Sequence, residues 1–183
     1  RVHAGLASFR EENAADGRGR RQTAVHAPQA TVRFGTSSRC VVEPLKQYAV
    51  LDQGSHAKRF TDAVFGLDQA SLAAVLRGLF TADGTVGNYG DHSHHVALDS
   101  SSLALLEQVQ LLLLSFGVKS KLYRDRRDAG TEMLPNGNGG EAEYPVAPFH
   151  SLRITRGSRV VFEHEIGFLA GSAKAERLAD LNR

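Results

Sequence analysis

Residues 72–86, reading LAAVLRGLFTADGTV, constrain this chain more than any other stretch. Leu72, Val75, Leu76, Leu79 and Phe80 recur at helical spacing, which predicts a helix with one buried stripe. Gly78 and Ala82 lie four apart, and small residues at that spacing let two helix backbones approach closely. A glycine inside a helix costs about 1 kcal/mol against alanine, so close packing gives it a reason. Gly84 supplies a residue able to take positive φ and stop the helix. Asp83 is then left at the helix C-terminus, where the macrodipole disfavours an anion. A carboxylate in that position is accounted for if it binds a cation.

Length and composition set the outer bounds. With 183 residues the chain makes one ordinary domain or two small repeats. A net charge of +2 is too small to argue for nucleic acid, so the distribution of charge matters more. Cys40 is the sole cysteine, which excludes an intramolecular disulfide and a Cys-rich zinc site and suits a cytoplasmic protein. No apolar stretch approaches the roughly 20 residues that cross a bilayer, the run 111–114 being far too short. There is no signal-peptide pattern, and a start at Arg1 rather than Met reads as a piece of a longer polypeptide.

Residues 1–30 are rich in Ala, Gly and Arg without a sustained period and read as a poorly ordered or truncated segment. Alternation then places Val32 and Phe34 on one face of a strand, with Thr31 and Arg33 on the other. Ser37 or Ser38 would cap a helix carrying Val41, Val42 and Leu45, in which Pro44 is costly unless the helix starts late. Residues 85–89 and 94–98 predict a hairpin joined by Gly90 and Asp91. Residues 99–102 offer caps for a helix with Leu103, Leu106, Val109, Leu113 and Phe116, closed by Gly117. A strand over 118–127, a Gly/Asn-rich loop at 135–140, and a strand over 150–156 follow. Two short helices end the chain, one with Val160, Val161, Phe162 and Ile166, the other with Leu178 and Leu181.

Leu76 to Gly84, LRGLFTADG, resembles the LAGLIDADG or dodecapeptide (DOD-type) motif of homing endonucleases, identical at six of nine positions. The variant is similar to those of endonuclease domains inside inteins, including inteins of vitamin B12-dependent ribonucleotide reductases. The resemblance implies an α+β fold. An αββαββα LAGLIDADG-type repeat with an antiparallel, DNA-facing sheet would span 68–183, preceded by a partial first repeat whose back half is 31–67. It implies a site-specific double-strand DNA endonuclease that hydrolyses phosphodiester bonds with Mg²⁺ or Mn²⁺. Two packed motif helices each deliver one acid in that family, so a second helix would come from a missing N-terminal segment or a second copy. Asp83 would then be catalytic and, with Gly84, hold metal, while Gly78 and Ala82 pack the helix pair. Lys58 matches the family lysine in the block before the second motif, though the usual proline after it is replaced by Phe60-Thr61. Ala15-Asp16-Gly17 is not read as the other motif, because Arg10, Glu11, Glu12 and Asn13 stand where that helix is apolar.

Each candidate also has a plainer reading. Asp83 could bond a nearby backbone amide, the common fate of Asp-Gly in a turn. Lys58 is either a water-positioning or transition-state-stabilising lysine or a surface cation. Lys119, Lys121, Arg127 and Arg153 sit on polar strand faces, suited to the DNA major groove or simply to solvent. His92, His94 and His95 fall on a loop and strand and read as hydrated histidines. Gly137 to Gly140 reads as a flexible hairpin connection. No splicing nucleophile or terminal His-Asn pair is visible, so the chain would be the endonuclease portion of an intein. A catalytically dead DNA-binding remnant and a structural insert are the other readings.

Overall fold

A computed structural model of the chain describes residues 24–26, 33–35, 38–50, 53–90, 93–127, 130–135, 141–146 and 148–183. Residues 1–23, Asp91, His92 and 136–140, on which some sequence expectations fall, lie outside the described residues. The chain divides into two compact units, 1–48 and 49–183, and the division falls inside the segment 31–67.

In the first unit β1 (Ala24–His26) pairs antiparallel with β2 (Arg33–Gly35), so part of the segment 1–30 is strand. Helix α1 (Arg39–Lys46) starts at Ser38 and contains Pro44. The proline deletes one helical hydrogen bond, a loss kept small because the helix ends two residues later. None of its residues is buried, and Val41 and Leu45 are 42% and 50% exposed.

The second unit opens with β3 (Ala49–Val50) and β4 (Arg59–Phe60), an antiparallel pair. Motif helix α2 (Gln69–Asp83) follows, then β5 (Gly84–Asn88), β6 (His94–Ser100), α3 (Leu103–Leu114) and β7 (Ser120–Arg127). Strands β8 (Gly130–Pro135) and β9 (Glu141–Val146) form a hairpin of their own. The chain closes with β10 (Phe149–Thr155), α4 (Gly157–Glu165) and α5 (Ala173–Asn182). With the hairpin set aside, the order from α2 is αββαββα plus a last helix. The sequence predicts a hairpin connection at 137–140 but not the strands β8 and β9. These strands carry Glu132, Glu141, Glu143 and Pro145, so their sequence lacks the apolar alternation that marks β5 or β10.

The main sheet is antiparallel in the order β5, β6, β10, β7. Pairing alternates the two faces. Val96, Leu98, Leu152 and Ile154 point to the covered side and are buried, and α3 packs there against β6, β7 and β10. Each such side chain contributes about 1.5–3 kcal/mol on burial. Ser102 caps α3 by accepting from the Leu105 amide, and Gly117, at φ 71, ends the turn after it. A register shift between Phe149 and Ser151 bulges β7 at Asp125, whose φ is 50. Buried His150 takes up the displaced Asp125 amide on its Nδ1 at 3.0 Å, which leaves the ring proton on Nε2 when the ring is neutral.

Helix α2 begins three residues before the expected stretch. Asp68 caps it, accepting from the Ser71 amide at 2.9 Å and its hydroxyl at 2.5 Å. Those bonds hold the Asp68 carboxyl below its usual range. Leu72, Leu76 and Phe80 are buried with Ala73, while Val75 and Leu79 are half-buried. Phe80 meets Phe162 of α4 edge to face at 4.8 Å, and Phe162 meets Phe168 at 5.6 Å. Gly84 follows at φ −73, not at positive φ. Its requirement is space instead, since a Cβ there would stand 2.5 Å from the Phe80 carbonyl oxygen.

Strand β4 is held from outside its short sheet. Gln108 of α3 accepts from the Phe60 amide at 2.8 Å and donates to the Phe60 carbonyl at 3.0 Å, as a neighbouring strand would. The Ser102 hydroxyl donates to the Lys58 carbonyl at 2.5 Å. Among the described residues no helix is long and apolar enough to cross a membrane.

Candidate active site

The end of α2 opens on a cleft of about 210 Å³. Asp83 and Leu79 line it from the motif helix, Ser55 and Lys58 from the loop before β4, and Asp99 and Ser100 from the end of β6. Two residues picked from the sequence, Asp83 and Lys58, thus face one space. Their ammonium and carboxylate are both exposed. No hydrogen bond or ion pair among the described residues occupies the Asp83 carboxylate. The alternative of an Asp-Gly turn bond is therefore not what the structure shows.

The donors here are hard oxygens, the carboxylates of Asp83 and Asp99 with the hydroxyls of Ser100 and Ser101, while Gly84, expected to share the metal, is buried and does not line the cleft. That set suits Mg²⁺ or Mn²⁺ rather than a soft metal. It falls short of a closed cage, and among the described residues no group of three or more His, Cys, Asp or Glu side chains gathers anywhere. A hard cation that keeps waters and shares phosphate oxygens needs no such cage.

Two residues at this end of α2 escaped the sequence reading. Asp99 was taken only as a possible helix cap, whereas α3 is capped by Ser102. Lys174, near the start of α5, reaches the last carbonyls of α2, donating from Nζ to Thr81 O at 2.7 Å and Ala82 O at 3.1 Å. Burial pulls the Lys174 ammonium below its ordinary range, and the negative charge of Asp83 opposes that shift. A cue was present in the sequence: a lysine in the first turn of a helix carries the wrong sign for its own dipole, as Asp83 does at the end of α2. Each wrongly signed charge lies near the other helix end. Arg77 and Thr81 add to the fastening, with Arg77 Nε donating to Ile166 O at 2.6 Å and Thr81 Oγ1 accepting from the Leu169 amide at 2.9 Å.

Among the described residues the small-residue face of α2 is uncovered. Ala74, Gly78 and Ala82 are exposed, and nothing among the described residues lies within 4 Å of a Cβ built at Gly78. The close helix pair expected at Gly78 and Ala82 is therefore not present within the described residues.

On the open face of the sheet, Lys121 lies opposite Arg153. Both flank the Tyr123 ring, at 4.8 and 5.3 Å from its centroid, with Arg126 at 5.8 Å. Lys119 shares a cleft with Lys121 and Arg153, while Arg127 ends β7 opposite Phe149, away from the other three. His95 lies on this face too and is only 4% exposed. Its ring covers Gly87, where a Cβ would come within 2.6 Å, and stacks with Tyr89 at 5.8 Å. Burial lowers its pKa, helped by Arg153 and opposed by Asp99. His95 is a packed residue, not the hydrated loop histidine expected.

Residues 70–167 match the family described as LAGLIDADG-like domain. The ribonucleoside-diphosphate reductase NrdEB α subunits of Bacillus subtilis (strain 168) and of Bacillus phage SPbeta are 36% identical to the chain over 106 residues, 57% of it. The chain spans about a tenth of the length of these relatives, the match covering 10% of each. A solved structure of an I-DmoI variant in complex with its target DNA, in the presence of 2 mM Mg, matches with a TM-score of 0.48 and 16% identity. That match covers 92% of this chain and 72% of the other.

Proposed function

Because the chain belongs to the LAGLIDADG-like domain family, we propose that it is the endonuclease portion of an intein, cutting duplex DNA by divalent-metal-dependent phosphodiester hydrolysis. One observation supports the reading: Asp83, whose carboxylate has no hydrogen bond or ion pair among the described residues, shares a cleft with Lys58. Bound divalent metal would activate the attacking water and stabilise charge on the leaving oxygen. Asp83 would hold it, and Asp99 stands ready as a further oxygen donor. Lys58 would orient the attacking water or offset the charge that gathers on the phosphate. Lys174 keeps the terminal carbonyls of α2 in place, and with them the direction in which Asp83 points. Lys119, Lys121 and Arg153, with Arg127 at the far end of β7, would meet the phosphates and base edges of the duplex.

A cut through both strands needs a second acid-bearing helix. The bare Ala74, Gly78 and Ala82 face is where it would pack, whether it comes from another part of a longer polypeptide or from a second copy. The same face gives the second reading its support, since a domain without that partner helix would bind DNA and cut nothing.

The test uses the intact parent protein with Mg²⁺ and a duplex carrying the joined insertion site. The expected outcome is cleavage by the wild type that falls about a hundredfold or more in Asp83→Asn. Undiminished cleavage by Asp83→Asn would remove Asp83 from the chemistry. Binding without cleavage by the wild type would favour the remnant.

A further inference from the structure

An open cleft of about 390 Å³ lies where β7 begins and β10 ends. Lys119, Lys121, Arg153 and Arg156 line it with Ser120 and Ser158, and among the described residues no carboxylate does. Four cations gathered without an acid repel one another, a cost that an anion between them would remove. Arg153, which lines the cleft, has its Nε buried without a hydrogen-bond partner among the described residues. The rim is fixed, since the Lys119 amide donates to Ser158 Oγ at 3.2 Å and ties the start of β7 to the first turn of α4.

Arg156 is the odd residue of the four. It stands at φ 53 and ψ −138, a conformation open to glycine and strained for any residue with a Cβ. Its backbone starts α4, the carbonyl accepting from the Arg159 amide at 3.0 Å, but its side chain is exposed and has no hydrogen bond or ion pair among the described residues, so the side chain itself adds nothing inside the described fold. Strain of this kind persists where a function needs the side chain. We infer that Arg156 is a DNA-backbone clamp, and that this cleft receives one phosphodiester of a duplex lying along the open sheet face. The guanidinium offers paired N–H donors to phosphate oxygens, and Lys119 and Arg153 complete the charge. Arg156 lies just past the end of β10 and would add a contact beyond the strand residues themselves. This assignment rests on the DNA-binding reading given above.

The test measures affinity of the intact chain for a duplex of arbitrary sequence across a range of salt, together with thermal unfolding. Arg156→Ala removes the charge and keeps the Cβ. It is expected to weaken binding about tenfold at low salt, to reduce the salt slope by about one, and to leave the melting temperature unchanged. Arg156→Gly should lose the same affinity while melting about 2 °C higher or more, as the strain is released. Wild-type affinity and slope in Arg156→Ala overturn the clamp while leaving the DNA reading intact. A melting temperature lowered in Arg156→Gly overturns the strain argument. A wild type whose duplex binding is absent or indifferent to salt overturns the DNA reading, and the clamp with it.

Discussion

Strand β10 sends Leu152 and Ile154 to one side of the sheet and Ser151, Arg153 and Thr155 to the other, and the two sides obey different rules. On the covered side each apolar group is sealed by helices, and every contact serves stability. On the open side, cations crowd one tyrosine ring, and a histidine is pressed over a glycine where open solvent would suit it better. Folding alone does not call for the second arrangement. On the proposed reading, stability and DNA recognition are laid on the same strands, one residue out of phase.

The largest expected effect breaks or confirms the covered side. Ile154→Ala should lose roughly 2–5 kcal/mol in denaturant unfolding, because Ile154 is fully buried in the middle of the sheet. A loss under about 1 kcal/mol would mean that the stability lies elsewhere. On the open side, Tyr123→Leu should shift stability by no more than about 0.5 kcal/mol and weaken duplex binding about two- to fivefold. Its salt slope should not change, because every charge proposed to meet phosphate is retained. Tyr123→Phe should bind like the wild type, and a weakened Phe variant would show that the hydroxyl, not the ring face, matters.

The smallest effect is a pH dependence. The folded state holds the His95 imidazole below its ordinary value of 6.5, so the unfolded chain takes the proton first. Stability from this group is complete above that value and is lost as pH falls below it. Melting measured from about pH 7.5 down to about 5.5 should decline in the wild type and decline less in His95→Gln. Equal slopes in the two proteins would place the effect on another group. The depressed Asp68 carboxyl acts in a separate window, its contribution fading as the solution turns acid below 3.8 and through its folded value.

What the sequence disclosed follows the same division. Helix α2, the β5–β6 hairpin, α3 with its Ser102 start and Gly117 stop, and β10 each bury one side, and burial leaves a period in the residue order. The β8–β9 hairpin, with Glu132, Glu141, Glu143 and Pro145 in its strands, carries no such period. Asp83 was legible because its sign is wrong for its helix end. Lys174 carried the same cue at the start of α5, but only the fold brings that helix to the end of α2, some ninety residues earlier in the chain. The glycines split likewise. Gly117 is needed for its φ, which residue type can announce, whereas Gly84 is needed because a carbonyl oxygen lies where its Cβ would be. The place of β10 between β6 and β7 and the bulge that His150 supports are settled by pairing across the sheet, which local pattern does not record.

The glutamine that stands in for a strand beside Phe60 has a mechanical consequence. Lys58 is tethered twice, through its own carbonyl to Ser102 and through Phe60 to Gln108, and both anchors belong to α3. Asp83 belongs to α2. The two walls of the cleft therefore ride on different helices, and its gape is a joint angle between them. A local opening of α3 would carry Lys58 away and leave Asp83 where it stood.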